Sequence, residues 1–125
     1  MTIRICIAGA TGWVGEALCP AVAAAADMRL VGAVARKSAG RPVPGIPEVM
    51  LTGSVAEALK SPTDVVIDYT HPGVVKANTL TAIEAGVGVV IGTSGLSAED
   101  YAELDAAARK KGRSEERRVG KECRL

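Results

Sequence analysis

Ile3-Arg4-Ile5-Cys6-Ile7-Ala8-Gly9-Ala10-Thr11-Gly12-Trp13-Val14-Gly15, almost at the start of the chain, decides the fold. Isoleucines alternating with Arg4 and Cys6 read as the beginning of a β-strand and not as a signal peptide. The strand runs into glycines spaced G-x-x-G-x-x-G, a variant of the dinucleotide fingerprint. Gly9 permits a tight turn out of the strand. Gly12 removes a side chain where a pyrophosphate would approach the backbone, and Gly15 lets the next helix pack closely on the sheet. Exposed N–H groups at the helix start then face the anion. The bland alternative is a purely structural glycine turn, but the strand–loop–helix context favours dinucleotide binding.

Beyond this unit the chain keeps alternating. Val14 to Ala26 reads as an Ala-rich helix bent or restarted at Pro20, and Leu30 to Ala35 as a second strand. Lys37 to Pro47, with three prolines and two glycines, reads as a loop. Val49 to Leu51 is a weak strand and Val55 to Lys60 a short helix. Val65 to Asp68 is a buried strand, Val74 to Ala85 a helix, Val87 to Ile91 a strand and Ser97 to Lys111 a helix opened by a Ser97–Asp100 capping box. Such alternation predicts an α/β fold with a doubly wound parallel sheet, Rossmann-like, the first strand lying between the second and the fourth.

Composition narrows the function classes. Only 2% of the residues are aromatic and the net charge is +1, which argues against a nucleic-acid groove. The longest apolar run, Ala21 to Ala26, is far short of the roughly 20 residues that span a bilayer. Cys6, Cys19 and Cys123 form no close pair, so neither a zinc site nor a disulfide framework is expected, and the pattern fits a reducing, cytoplasmic compartment.

Three further segments carry chemistry. About 20 positions past the glycine loop, an acidic residue would grip the ribose of NAD. Here Ala35-Arg36-Lys37 stands instead, and two cations attract a 2′-phosphate, so NADPH is expected over NADH. A plain solvated loop start is the alternative. Asp68-Tyr69-Thr70-His71-Pro72 follows the fourth expected strand, at the crevice where winding reverses. There His71 reads as a turn or cofactor-edge residue before a catalyst, and Asp68 as a cap for nearby N–H groups before a base. Gly92-Thr93-Ser94-Gly95 abuts the same cleft, where its backbone could bond a nicotinamide carboxamide, although ordinary turn chemistry explains both segments too.

With these strings read, residues Met1 to Gly112 resemble the 4-hydroxy-tetrahydrodipicolinate (dihydrodipicolinate) reductases. The resemblance rests on Ile7 to Gly12 with Gly15, on Val65 to Pro72, and on Val90 to Leu96. It implies an NAD(P)H-dependent oxidoreductase of the diaminopimelate route to lysine, tetrameric at full length, that reduces a cyclic dicarboxylate with NADPH or NADH. It further implies that Gly9, Ala10, Thr11, Gly12, Trp13, Val14 and Gly15 hold the pyrophosphate and that Arg36 sits by the adenosine ribose. Thr70, Gly92, Thr93 and Ser94 would surround the nicotinamide. Two departures stand out. Trp13-Val14 replaces the Arg-Met common in the family, so the ring either covers the cofactor or packs on the sheet, and Ala35 replaces an acidic residue. The family's catalytic lysine, histidine-rich helix and tetramer-forming sheet would follow Gly112, so no catalytic residue and no metal ligand is assigned to this stretch.

Charge divides the chain at the same point. Met1 to Gly112 holds 10 basic and 11 acidic residues, Arg113 to Leu125 holds 5 and 3. The latter string looks like the translation of a sequencing-library adapter, so residues 113–125 are expected to be an unstructured, non-native tail after a 1–112 dinucleotide-binding domain. An extended short-chain dehydrogenase or epimerase would open with a similar loop. It needs Tyr-x-x-x-Lys, however, whereas Tyr69 is followed four places on by Gly73, and Tyr101 by Asp105. A non-enzymatic dinucleotide-binding module is the other alternative.

Overall fold

The computed structural model describes residues 2–93, 96–110 and 123–124. In chain order its elements are β1 (Ile3–Ala8), α1 (Trp13–Ala24), β2 (Met28–Val34), a 3-10 turn (Arg36–Ser38), β3 (Pro42–Val43) and β4 (Ile46–Thr52). There follow α2 (Val55–Ala58), β5 (Val65–Asp68), α3 (Pro72–Glu84), β6 (Gly88–Ile91), α4 (Ala98–Lys110) and β7 (Cys123–Arg124). The sheet order is β3-β4-β2-β1-β5-β6-β7. Its five middle strands are parallel, as expected for a doubly wound sheet, and the two edge strands are antiparallel.

Why β5, β6 and the Ile5–Ala8 part of β1 read as apolar runs is visible in the packing. Side chains of a strand point alternately to opposite faces, and here both faces are covered. Ile5 and Ile7 join the cluster under α1 with Cys19, Val22 and Leu30. Cys6 and Ala8 join the opposite cluster under α3 and α4 with Val66, Ile83, Val89 and Leu104. Burial pushes the Cys6 thiol up to about 12, with Cys19 and Asp68 adding smaller charge effects, so this cysteine serves as a small apolar core residue.

The expected loop from Lys37 to Pro47 contains a hairpin. Val43 and Ile46 are buried on either side of Pro44-Gly45, where Gly45 takes φ +79°. Pro42 is tolerated because it lies on an edge strand, and Pro47 because β2 pairs with β4 only at Leu51 and Thr52. α1 runs through Pro20 without restarting. The Ser97–Asp100 box forms as expected: the Asp100 N–H donates to Ser97 Oγ and the Ser97 N–H to Asp100 Oδ2, both at 3.1 Å. The Ser97 N–H, then Lys76 and the Ser97 hydroxyl, hold the Asp100 carboxyl below its ordinary range. Its contribution to stability is therefore present above the ordinary carboxylate range and is lost as pH falls through the lowered value.

The tail expectation needs one correction. Cys123–Arg124 is not irregular but pairs antiparallel with Val90 and Ile91 of β6. The unpaired N–H and C=O groups of a sheet edge accept any extended segment in reach. The remainder of 113–125 lies outside the described residues. Among those described, no helix is long and apolar enough to cross a membrane.

Candidate functional site

Because β2, β1, β5 and β6 are parallel neighbours, the turns that follow them emerge in a row along one edge of the sheet. The glycine loop occupies the middle. Gly9 and Ala10 both donate their N–H groups to the Val34 carbonyl at 3.0 Å, tying the turn to β2. Gly9 takes φ +83°, and a Cβ there would lie 2.5 Å from the Tyr69 carbonyl oxygen. A Cβ on Gly15 would overlap the Gly9 carbonyl, so α1 starts in direct contact with the turn.

Gly12 is different. Among the described residues a Cβ there would meet only the Gly9 carbonyl, at 3.3 Å. As the N-cap of α1 it offers no side-chain acceptor, which leaves the first-turn N–H groups uncapped. Space above a bare backbone, at the positive end of a helix, suits a diphosphate.

Beside the loop lies a cavity of about 520 Å³, lined by Gly9, Thr11 and Gly12, by Ala35, Arg36, Lys37, Gly53 and Ser54, and by Tyr69, Thr70, His71, Val74, Ala77 and Asn78, among others. Arg36 and Lys37 are exposed there, and among the described residues no Asp or Glu lines the walls. The site thus brings together Gly9, Thr11, Gly12, Arg36 and Thr70. Gly53, Ser54, Val74, Ala77 and Asn78 were not legible as site residues. Val74, Ala77 and Asn78 share the helical spacing that places them on one face of α3, whereas Gly53 and Ser54 lie in the turn between β4 and α2.

Other expected residues lie elsewhere. Ala10 is buried in the core beneath α1. Trp13 does not pack on the sheet: it is 95% exposed at the first position of α1, next to the partly exposed Val14, and neither lines the cavity. Gly92 and Thr93 follow β6 outside this cavity. A side chain at Gly92 would overlap the Tyr69 ring, so the space its glycine leaves is filled by the protein. Ser94 lies outside the described residues. His71 is the N-cap of α3, exposed and without a side-chain cap bond.

Asp68, fully buried at the end of β5, takes the capping role expected of it. Its Oδ1 accepts the Thr70 N–H at 2.9 Å, the Thr70 hydroxyl at 2.6 Å and the Thr93 hydroxyl at 3.0 Å. Its Oδ2 accepts Nδ2 of Asn78 at 3.1 Å.

Known proteins share this fold and much of this sequence. Residues 3–113 match the family model described as dihydrodipicolinate reductase, N-terminus. A 4-hydroxy-tetrahydrodipicolinate reductase of Nocardia farcinica is 39% identical over 106 residues, covering 84% of this chain and 35% of that protein. One from Acinetobacter baumannii is 41% identical over 116 residues, covering 85% and 41%. Among solved structures, the dipicolinate-bound dihydrodipicolinate reductase of Paenisporosarcina sp. TG-14 superposes with a TM-score of 0.76 at 26% identity, over 89% of this chain and 44% of that one. D-galactose-1-dehydrogenase of Rhizobium etli, at 22% identity and a TM-score of 0.71 over 89% and 35%, shares the fold. The chain therefore spans less than half the length of each of these relatives. By the match over residues 3–113, it belongs to the dihydrodipicolinate reductase family and corresponds to that family's N-terminal part.

Proposed function

We propose that this chain is the nicotinamide-dinucleotide-binding part of a reductase that delivers hydride from NADPH to a cyclic dicarboxylate in the diaminopimelate route to lysine. The observation that carries the reading is the cavity itself: a bare glycine cradle under uncapped helix N–H groups opens onto two cations, with no carboxylate in the wall among the described residues. Gly9, Thr11, Gly12 and Gly15 would form the diphosphate cradle, Arg36 with Lys37 would meet a 2′-phosphate, and Thr70 would close the wall beyond. Along the row of strand ends, Gly92 and Thr93 lie at the opposite extreme from Arg36, which suits the nicotinamide half. Ser94 belongs with them by resemblance, as Trp13 and Val14 belong with the loop.

The bound cofactor supplies the hydride, and the residues of this chain bind and orient it. No side chain here is assigned as proton donor. That group, the substrate contacts and the homotetramer interface are proposed for the remainder of the relatives' length, and the whole protein is proposed to act in the cytoplasm. On this reading the 125-residue chain binds cofactor without turning over.

Titrating NADPH and NADH into the wild type and Arg36→Ala tests the cofactor assignment. NADPH is expected to bind more tightly to the wild type, and losing one charge-assisted contact should weaken it about tenfold while NADH changes less than about twofold. Equal binding of both cofactors before and after the change would overturn the 2′-phosphate assignment.

A further inference from the structure

We propose that Asp68 is a positioning residue that sets the two halves of the dinucleotide site relative to each other; the proposal rests on the dinucleotide reading above. Its four donors come from three places: the Thr70 turn, α3 through Asn78, and the turn after β6 through Thr93. A carboxylate only accepts, so Asn78 has one way to face it. Nδ2 is committed to Asp68, which leaves Oδ1 as the remaining acceptor of a half-buried side chain that lines the cavity with Arg36. That fixed carbonyl is set to receive an N–H or O–H donor from the adenosine half of the ligand.

The other arm reaches the opposite end of the row. Thr93 is buried, and its hydroxyl lies 3.0 Å from Asp68 Oδ1 and 3.2 Å from the Asp68 carbonyl, which also accepts the Gly92 N–H at 2.9 Å. The turn after β6 is thereby locked to the end of β5. A fully buried carboxylate needs several donors whatever its role; what distinguishes this one is the elements they come from. Here the same carboxylate orients an amide in the adenosine cavity and anchors the turn at the nicotinamide end.

The two arms make separable predictions. NADPH and 2′-phospho-ADP-ribose, which lacks nicotinamide, would be titrated calorimetrically into the full chain and into Asn78→Leu, Thr93→Val and Thr93→Ser, with thermal melts run alongside. Asn78→Leu should weaken both ligands by the same factor, about tenfold for one lost hydrogen bond. Thr93→Val should weaken NADPH by a similar factor and leave 2′-phospho-ADP-ribose within about twofold, with Thr93→Ser restoring NADPH binding. Should Thr93→Val not fold, Asn78→Leu, at a half-buried position, still decides the adenosine arm. Equal loss of both ligands in Thr93→Val, or no change in Asn78→Leu, overturns the proposal. A wild-type chain that binds neither ligand overturns the dinucleotide reading itself.

Discussion

Gly9→Ala is expected to lower the thermal midpoint of this domain by more than about 10 °C, at a cost of about 3 kcal/mol or more. Two terms add. The left-handed backbone at φ +83° costs an L-residue about 1–2 kcal/mol by itself. The new methyl would also press on the Tyr69 carbonyl from 2.5 Å, and neither side can yield. Gly9 is bonded to Val34 across to β2, and the Tyr69 N–H donates to the Ala8 carbonyl at 3.0 Å, so the clash falls at the junction of three central strands. A urea or thermal melt checks this. A midpoint within about 3 °C of wild type would mean that the turn is free to rearrange, and with it the geometry of the cradle.

Gly12→Val should do the reverse, costing binding and not folding. Its backbone is extended, at φ −74° and ψ 176°, which any residue adopts, and among the described residues a Cβ there would approach one carbonyl, at 3.3 Å. The folding penalty should stay near 1 kcal/mol, that of a poorer N-cap. The branched side chain would fill the space above the loop and hold a diphosphate away from the helix N–H groups. A loss of about a hundredfold in NADPH affinity is expected, with the midpoint little changed. Undiminished affinity would show that the phosphates do not rest on this loop. Together the two variants separate the structural from the functional use of one motif, three residues apart.

That separation marks what the sequence could and could not tell. Largely apolar runs at Ile3–Ala8, Val65–Asp68 and Val87–Ile91, with glycines at fixed offsets, were enough to order the central strands, because a sheet covered on both faces leaves an unambiguous trace. The Val43–Ile46 hairpin was hidden by its own prolines, which signal a loop but are tolerated on an edge. That the Tyr69 ring fills the space beside Gly92 is likewise announced by nothing in the chain. Asn78 escaped for a related reason: its partner lies ten residues away, and only the packing of α3 on β5 brings them together.

The solitary indole has a practical consequence. It is the single tryptophan of the chain, lies almost wholly in water, and adjoins the glycine on which the phosphates are proposed to rest. Its emission is a built-in optical gauge for ligand capture: a reduced pyridine ring settling nearby would quench it by energy transfer, and the signal would be read without a label or an engineered probe.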